Sequence, residues 1–204
     1  MNPRAQLKSP LTLDGYFASP YVVEPLRRAD CCLISDGAAA ALVMSAKRAR
    51  ERQVPAPVPI LGFGQGHSSC DVALRRDLTE TMAGVSADTA YRMAGLGPER
   101  IDVAQIYDCF TITVLMTLEA YGLLTNGQGA DVFAEGGFSP GGPLPLNTSG
   151  GLLAETGMPG LQLVLEGVRQ MRGTSTAQVE DASTCIVSNQ GGIMHTHSTL
   201  ILGH

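Results

Sequence analysis

The chain has 204 residues, 44% of them apolar and 16% charged, with a formal net charge of −5. That length suits one domain or one and a half, with enough apolar residues for a sizeable core. The acidic balance excludes nucleic acid as the main partner, which needs a basic face; an anionic small molecule needs only a local positive spot.

The N-terminus, Met1-Asn2-Pro3-Arg4, has no apolar leader, and no signal peptide is expected. The longest greasy stretch, Ile106 to Leu124, is interrupted by Asp108 and Glu119, so no membrane span is expected either. Cysteines stand at 31, 32, 70, 109 and 185, odd in number and without Cys-x-x-Cys spacing. They read as reduced thiols of a cytoplasmic protein with no zinc site.

In chain order, residues 1–30 read as an extended lead-in, with a short helix starting near Leu11–Asp14. Asp36-Gly37 is a turn signal. Ala38 to Met44 then reads as a fully buried strand, or less readily as a helix start. Lys47, Arg48, Arg50, Glu51 and Arg52 mark a solvated helical end at 46–53; the alternative is a phosphate-binding cluster. Val54-Pro55-Ala56-Pro57-Val58-Pro59 is the clearest linker.

After the linker, Ile60–Gly64 reads as a glycine-rich strand. Its glycines lack the spacing and the following helix of a dinucleotide fingerprint. Residues 86–97 read as a helix with Ser86 as N-cap, Ala87, Ala90, Met93 and Ala94 inward, and Gly95 near its end. Asp102–Tyr107 is a short strand. Cys109–Leu124 is a helix with Ile112, Leu115, Met116 and 118–120 largely buried. Residues 125–150 form a long glycine-rich loop. It runs through Asn147-Thr148-Ser149-Gly150-Gly151 into a helix with an apolar stripe of Leu161, Val164, Leu165, Val168 and Met171. Thr184–Ser188 is a buried strand, Asn189–Gly192 a turn, and His197–Leu202 the last strand. From residue 58 onward this order predicts a layered α/β domain with a mixed sheet.

Four stretches together resemble the C-terminal half of the thiolase superfamily, closest to its lipid-transfer-protein-like (SCP2-type thiolase/aldolase) branch. They are Asp36-Gly37-Ala38-Ala39-Ala40, Tyr107-Asp108-Cys109-Phe110, Asn147-x-x-Gly150-Gly151, and Ser188-Asn189-Gln190-Gly191-Gly192. Each is weak alone; in this order they cover almost the whole chain. The resemblance implies a five-layered α-β-α-β-α fold of two similar halves acting on acyl-coenzyme A thioesters. Here it implies one half, residues 58–204, plus a remnant of the other and a linker at 1–57. It also implies a homodimer, an OB-fold zinc-ribbon partner protein, or both, and no bound cofactor, coenzyme A entering as the substrate's thioester.

The departures shape the expected chemistry. Full-length members are about twice as long and carry the nucleophilic cysteine in the first half. None of the five cysteines here stands in its place. The family's Gly-His-Pro histidine falls at Glu155-Thr156-Gly157-Met158-Pro159, which has no histidine. Ser188 replaces the family's second cysteine. Tyr107 stands where many members have Asn and the lipid-transfer branch often His. Thiolytic cleavage needs a thiolate, a base and a second thiol, so a standard β-ketothiolase is not expected of this polypeptide alone. Retro-aldol or related enolate chemistry needs oxyanion donors and one acid–base group. Tyr107, Asp108 and the backbone N–H groups near Gly191 and Gly192 are candidates. The expected activity is therefore acyl transfer or retro-aldol cleavage in lipid, steroid or aromatic acyl-CoA metabolism; the alternatives are a non-catalytic acyl-CoA or lipid-binding or scaffold subunit, and a fragment of a longer thiolase.

Each candidate also has a plainer reading. Tyr107 can be a buried tyrosine with a satisfied hydroxyl. Asp108 can be the N-cap of the helix after it. Asn147 orients a water or staples its loop. Glu155 is an acid–base group or a surface residue in a helical first turn. His195 and His197 would share one side of a strand, as a proton-transfer group next to the glycine turn; as a pair they do not make a metal site. The substrate-binding candidates are Asn147, Gly150, Gly151, Ser188, Gly191 and Gly192. Cys109 and Cys185 read as small core residues. A strand at 38–44 without its sheet predicts obligate association with a second copy or with a chain carrying the missing half.

Overall fold

The structure is a computed structural model and describes residues 2–68, 72–75, 77–158, 160–192 and 194–204. Cys70 and Pro159, named above, lie outside these.

In the lead-in, helix α1 (Leu13–Ala18) begins where the Thr12 side chain accepts the Gly15 N–H. Strands β1 (Tyr21–Val23) and β2 (Leu26–Arg27) form a small antiparallel ribbon. Helix α2 (Ala46–Glu51) is capped by Ser45. Lys47 and Arg48 pair with Glu51 on its surface, which is the solvated reading of that basic run.

Between them the structure departs from expectation. No strand among the described residues pairs with 36–45. Ile34 is 100% exposed, Leu42 91% and Val43 79%. The apolar pattern is strand-like, yet the sheet of this chain presents no edge to it.

The remaining elements are β3 (Ile60–His67), α3 (Ala83–Ala94), β4 (Val103–Gln105), α4 (Thr111–Ala120), α5 (Gly129–Ala134), α6 (Gly151–Ala154), α7 (Leu161–Met171), β5 (Thr184–Gly191) and β6 (Thr196–Gly203). Their sheet runs β3-β6-β5-β4, with β4 and β5 parallel and the other pairs antiparallel. This is the expected mixed sheet.

Helices α3 and α4 cover one face, around Ala87, Ala90, Val114, Leu118, Ile186 and Ile201. Helix α7 covers the other, around Val103, Leu163, Cys185, Val187 and Leu202. Both faces being apolar, β5 reads as a continuous hydrophobic run rather than an alternating one.

The glycines of β3 have a packing reason. Gly62, Gly64 and Gly66 recur at the strand period on one face. A Cβ at any of them would run into a backbone carbonyl of the α3 segment, that of Ala90, Ser86 or Met82. The stripe lets the helix backbone lie directly on the strand.

Several boundaries move. Helix α3 starts at Ala83, so Ser86 is interior and buried, with its hydroxyl bonded to Ala83 O and the Thr199 hydroxyl. Met93 points outward. Helix α4 buries Thr113, Val114, Thr117 and Leu118, while Ile112 is 48% exposed. The threonines face inward because their hydroxyls bond back to the helix's own carbonyls, Thr113 to Phe110 O and Thr117 to Thr113 O.

The loop 125–150 contains α5. On α7 the buried face is Gln162, Leu163, Glu166, Gly167, Gln170 and Met171. The stripe of Leu161, Val164, Leu165 and Val168 is half-buried. Thr148, Ser175 and Gln170 hydrogen-bond the Glu166 carboxylate, which makes a polar face tolerable inside. Strand β5 runs on to Gly191, so the tight turn lies after it.

Candidate active site

The site is built on the extended segment that follows β4, and both its sides are held. Ala104 bridges Leu146 in parallel. Beyond that bridge the Asn147 side chain takes over: Oδ1 accepts the Ile106 N–H at 2.7 Å and Nδ2 donates to Ile106 O at 2.9 Å. Asn147 thus staples its loop to the strand. On the opposite side Cys31 pairs antiparallel with Phe110, and Cys32 N donates to Cys109 O at 2.9 Å. Extended backbone alternates its side chains. Tyr107 and Cys109 therefore face one cleft and Asp108 another.

The first cleft is a cavity of about 510 Å³ lined by Tyr107, Cys109, Thr113, Gln190, Gly191 and Gly192, among others. Tyr107 N donates to Ser188 Oγ at 2.9 Å. Burial pushes the Tyr107 phenol and the Cys109 thiol upward, so both hold their protons at neutral pH. Gln190 Nε2 donates to Cys109 Sγ at 3.3 Å.

The second cleft, about 780 Å³, is mostly apolar, with Leu115, Phe133 and Phe138 beside Asp108, Asn147 and Gly150. Asp108 does not cap α4, whose N-cap is Phe110. Its carboxylate instead accepts Leu152 N at 2.8 Å and Leu153 N at 3.2 Å, at the start of α6. It is 2% exposed, and burial raises its pKa to about 6. A Cβ on Gly151, at φ +58°, would occupy the place of that carboxylate. The Gly150-Gly151 pair exists so that Asp108 can reach the helix end.

The remaining candidates are dispersed. Ser188 is fully buried, its hydroxyl engaged by Tyr107 N–H. Glu155 is buried rather than on the surface and accepts from Asn2 Nδ2 at 3.0 Å. The histidines do not share a strand face, because β6 begins at Thr196. His195 lies in the turn, its ring edge-on to His67 at 6.0 Å. His197 is fully buried and bonds the Tyr121 hydroxyl at 3.0 Å. Burial lowers its pKa to about 4, so it is neutral. It lines neither cleft.

Cys109 and Gln190 are the cleft residues that sequence reading missed. The signal was available: Cys109 stands two residues after Tyr107 on extended backbone. Among the described residues no cluster of three or more His, Cys, Asp or Glu is arranged to hold a metal.

Residues 64–204 match the family described as thiolase C-terminal domain-like. The chain belongs to that family. This thiolase-like chain is 38% identical over 209 residues to a steroid side-chain-cleaving aldolase of Thermomonospora curvata, covering 99% of this chain and 52% of the relative. It is 37% identical over 196 residues to an acetyl-CoA acetyltransferase of Methanothermobacter thermautotrophicus, covering 94% and 51%. A solved structure described as Ltp2-ChsH2(DUF35) aldolase superposes with a TM-score of 0.88 at 35% identity, over 99% of this chain and 54% of that one. The thiolase-like chain thus spans about half the length of the curated relatives it matches.

Proposed function

We propose that this chain contributes the C-terminal half of an acyl-CoA aldolase of the thiolase superfamily. The observation that carries this is the convergence of the Tyr107 phenol, the Cys109 thiol and the Gly191-Gly192 turn on one cleft. Similarity to a steroid side-chain-cleaving aldolase supports it.

The substrate is a β-hydroxyacyl thioester of coenzyme A. Loss of the β-hydroxyl proton and cleavage of the Cα–Cβ bond release a carbonyl compound and leave the enolate of the shortened thioester. Backbone N–H groups of the glycine turn steady the enolate oxygen. Tyr107 or Cys109, each protonated at rest, gives its proton to Cα, and the proton lost by the β-hydroxyl restores it. The wider apolar cleft takes the acyl body; Ile112 forms a wall of both clefts. The Ser188 hydroxyl, buried and engaged by Tyr107 N–H, does not take the family's second cysteine's part in proton transfer.

The exposed Ile34, Leu42 and Val43 support association with the rest of a thiolase-like protein, on this polypeptide or on another. A second copy or an OB-fold zinc-ribbon protein are further partners in this reading. The test is turnover of β-hydroxyacyl-CoA by the chain co-purified with its partners. Tyr107→Phe is expected to lower kcat by about 10²–10⁴-fold, the usual share of a general acid, with affinity kept. Acyl-CoA binding without any turnover by the parent would make the chain a binding subunit instead.

A further inference from the structure

Buried polar atoms without partners are rare in folded proteins. Here two of them belong to residues that sit directly opposite each other. The β5–β6 ladder pairs Gln190 with His197. Directly paired residues of an antiparallel ladder carry their side chains on the same face. Gln190 Oε1 is buried with no partner, and so is His197 Nδ1.

The other end of each side chain is committed. His197 Nε2 lies 3.0 Å from the Tyr121 hydroxyl, and Gln190 Nε2 donates to Cys109 Sγ at 3.3 Å. A neutral imidazole has one N–H and one acceptor nitrogen. The Tyr121 hydroxyl also touches the Thr199 hydroxyl, which in turn touches that of Ser86. With the single Ser86 proton turned to Thr199 rather than to Ala83 O, Thr199 donates to Tyr121 and leaves the Tyr121 proton for His197.

We infer that His197 and Gln190 are positioning residues for Cys109. Tyr121 O–H donates to His197 Nε2. His197 Nδ1–H donates to Gln190 Oε1, directly or through one ordered water, and Gln190 Nε2–H donates to Cys109 Sγ. The donors all run one way, and neither unpartnered atom remains. The inference rests on the proposed role of Cys109 in the cleft and names what tunes it.

A donor to sulfur favours the thiolate. The groups facing Cys109 are Cys32 from the lead-in, Tyr107 from its own segment, Thr113 from α4 and Gln190 from β5, and Arg75 lines the same cleft. Burial raises its thiol, and the hydrogen bonds from Thr113 and Gln190 oppose that rise. Without His197 the Gln190 amide is free to turn over. Its carbonyl would then accept the S–H, hold the thiol protonated and draw its proton away from the substrate.

The test reads Cys109 itself. Alkylation by iodoacetamide is followed against pH at the Cys109 peptide by mass spectrometry, on the full chain with whatever it co-purifies with. His197→Phe is expected to raise the midpoint by about one pH unit, which slows alkylation near neutrality about tenfold. His197→Asn, which offers an N–H where Nδ1 stood, is expected to restore the rate to within about threefold. In a Gln190→Leu background His197→Phe is expected to add nothing, since the link is already cut.

An unchanged midpoint in His197→Phe overturns the inference. So do equal shifts in Phe and Asn that add to that of Gln190→Leu. If His197→Phe does not fold, a nitrogen–proton correlation spectrum of the unmutated imidazole decides: the proton on Nδ1 supports the chain and the proton on Nε2 overturns it. Neither readout uses turnover, so failure here is separable from failure of the aldolase reading, which Tyr107→Phe tests.

Discussion

Two stretches of this chain look like buried strands, and only one is a strand. Thr184–Gly191 pairs on both sides and is closed in by helices on both faces, with Cys185, Ile186 and Ser188 fully buried. Residues 36–45 have a comparable apolar run, Ala38 to Met44, yet stand unpaired with Leu42 and Val43 in solvent. Propensity differs, Ala38 to Ala41 being poorer strand formers than Ile186 and Val187, but pairing decides. A strand exists where a neighbour offers its hydrogen bonds. An apolar run becomes a strand only where a paired edge meets it, and 36–45 meets none among the described residues.

The comparison is most sharply tested by removing side chains from each stretch. Ile186→Ala should destabilise the chain by about 2–5 kcal/mol, the range for emptying a tightly packed core position, read from denaturant unfolding. A loss below about 1 kcal/mol would mean the β5 core is looser than its burial shows.

Next in size is the seam between the lead-in and the rest of the domain, where Asp108 holds α6 and Leu33 N donates to Leu152 O. The folded pKa of Asp108 is about 6, above its ordinary 3.8. Its stabilising contribution is therefore full below pH about 4 and lost as pH rises through 6. The linkage amounts to about 3 kcal/mol. The stability of the parent should fall relative to Asp108→Asn over that window; parallel curves would refute the burial argument.

Gly64→Ala should cost about 1–3 kcal/mol by pushing α3 off β3, seen as a lowered Tm. An unchanged Tm would show that the helix can step away freely.

The smallest effect is the most diagnostic. Leu42→Ala should change the stability of the chain alone by no more than about 0.5 kcal/mol. Leu42→Asp should weaken its assembly with the rest of a thiolase-like protein, measured by native mass. Strong destabilisation of the isolated chain by Leu42→Ala would mean that 36–45 is buried in this chain after all.

Much of the fold was legible. Periodicity placed α3, α4, α7 and the last two strands, and their order called for a mixed sheet. What misled was local chemistry with a tertiary answer. Ser86 looked like an N-cap because serine commonly is one, yet its hydroxyl serves Ala83 O and Thr199. Ile112 looked inward on helical spacing, but threonine hydroxyls returned to helix carbonyls let α4 bury Thr113 and Thr117 instead; on α3, Met93 also points outward.

In the site, Tyr107, Gly191 and Gly192 do meet. Asp108 and Asn147 turn to the other cleft, and His197 sinks into the core. Their motifs name residues next to one another in sequence, while alternation sends neighbours to opposite sides.

The sequence by itself determined the family, the α/β class and the glycine loop after Asn147, because composition, spacing and motif order are local. Only the tertiary structure decided which cleft each residue faces, that Gly151 clears room for the Asp108 carboxylate, and that Gln190 and His197 stand opposite each other. Those facts depend on strand register and on the close approach of segments that are remote in sequence, which no local pattern encodes.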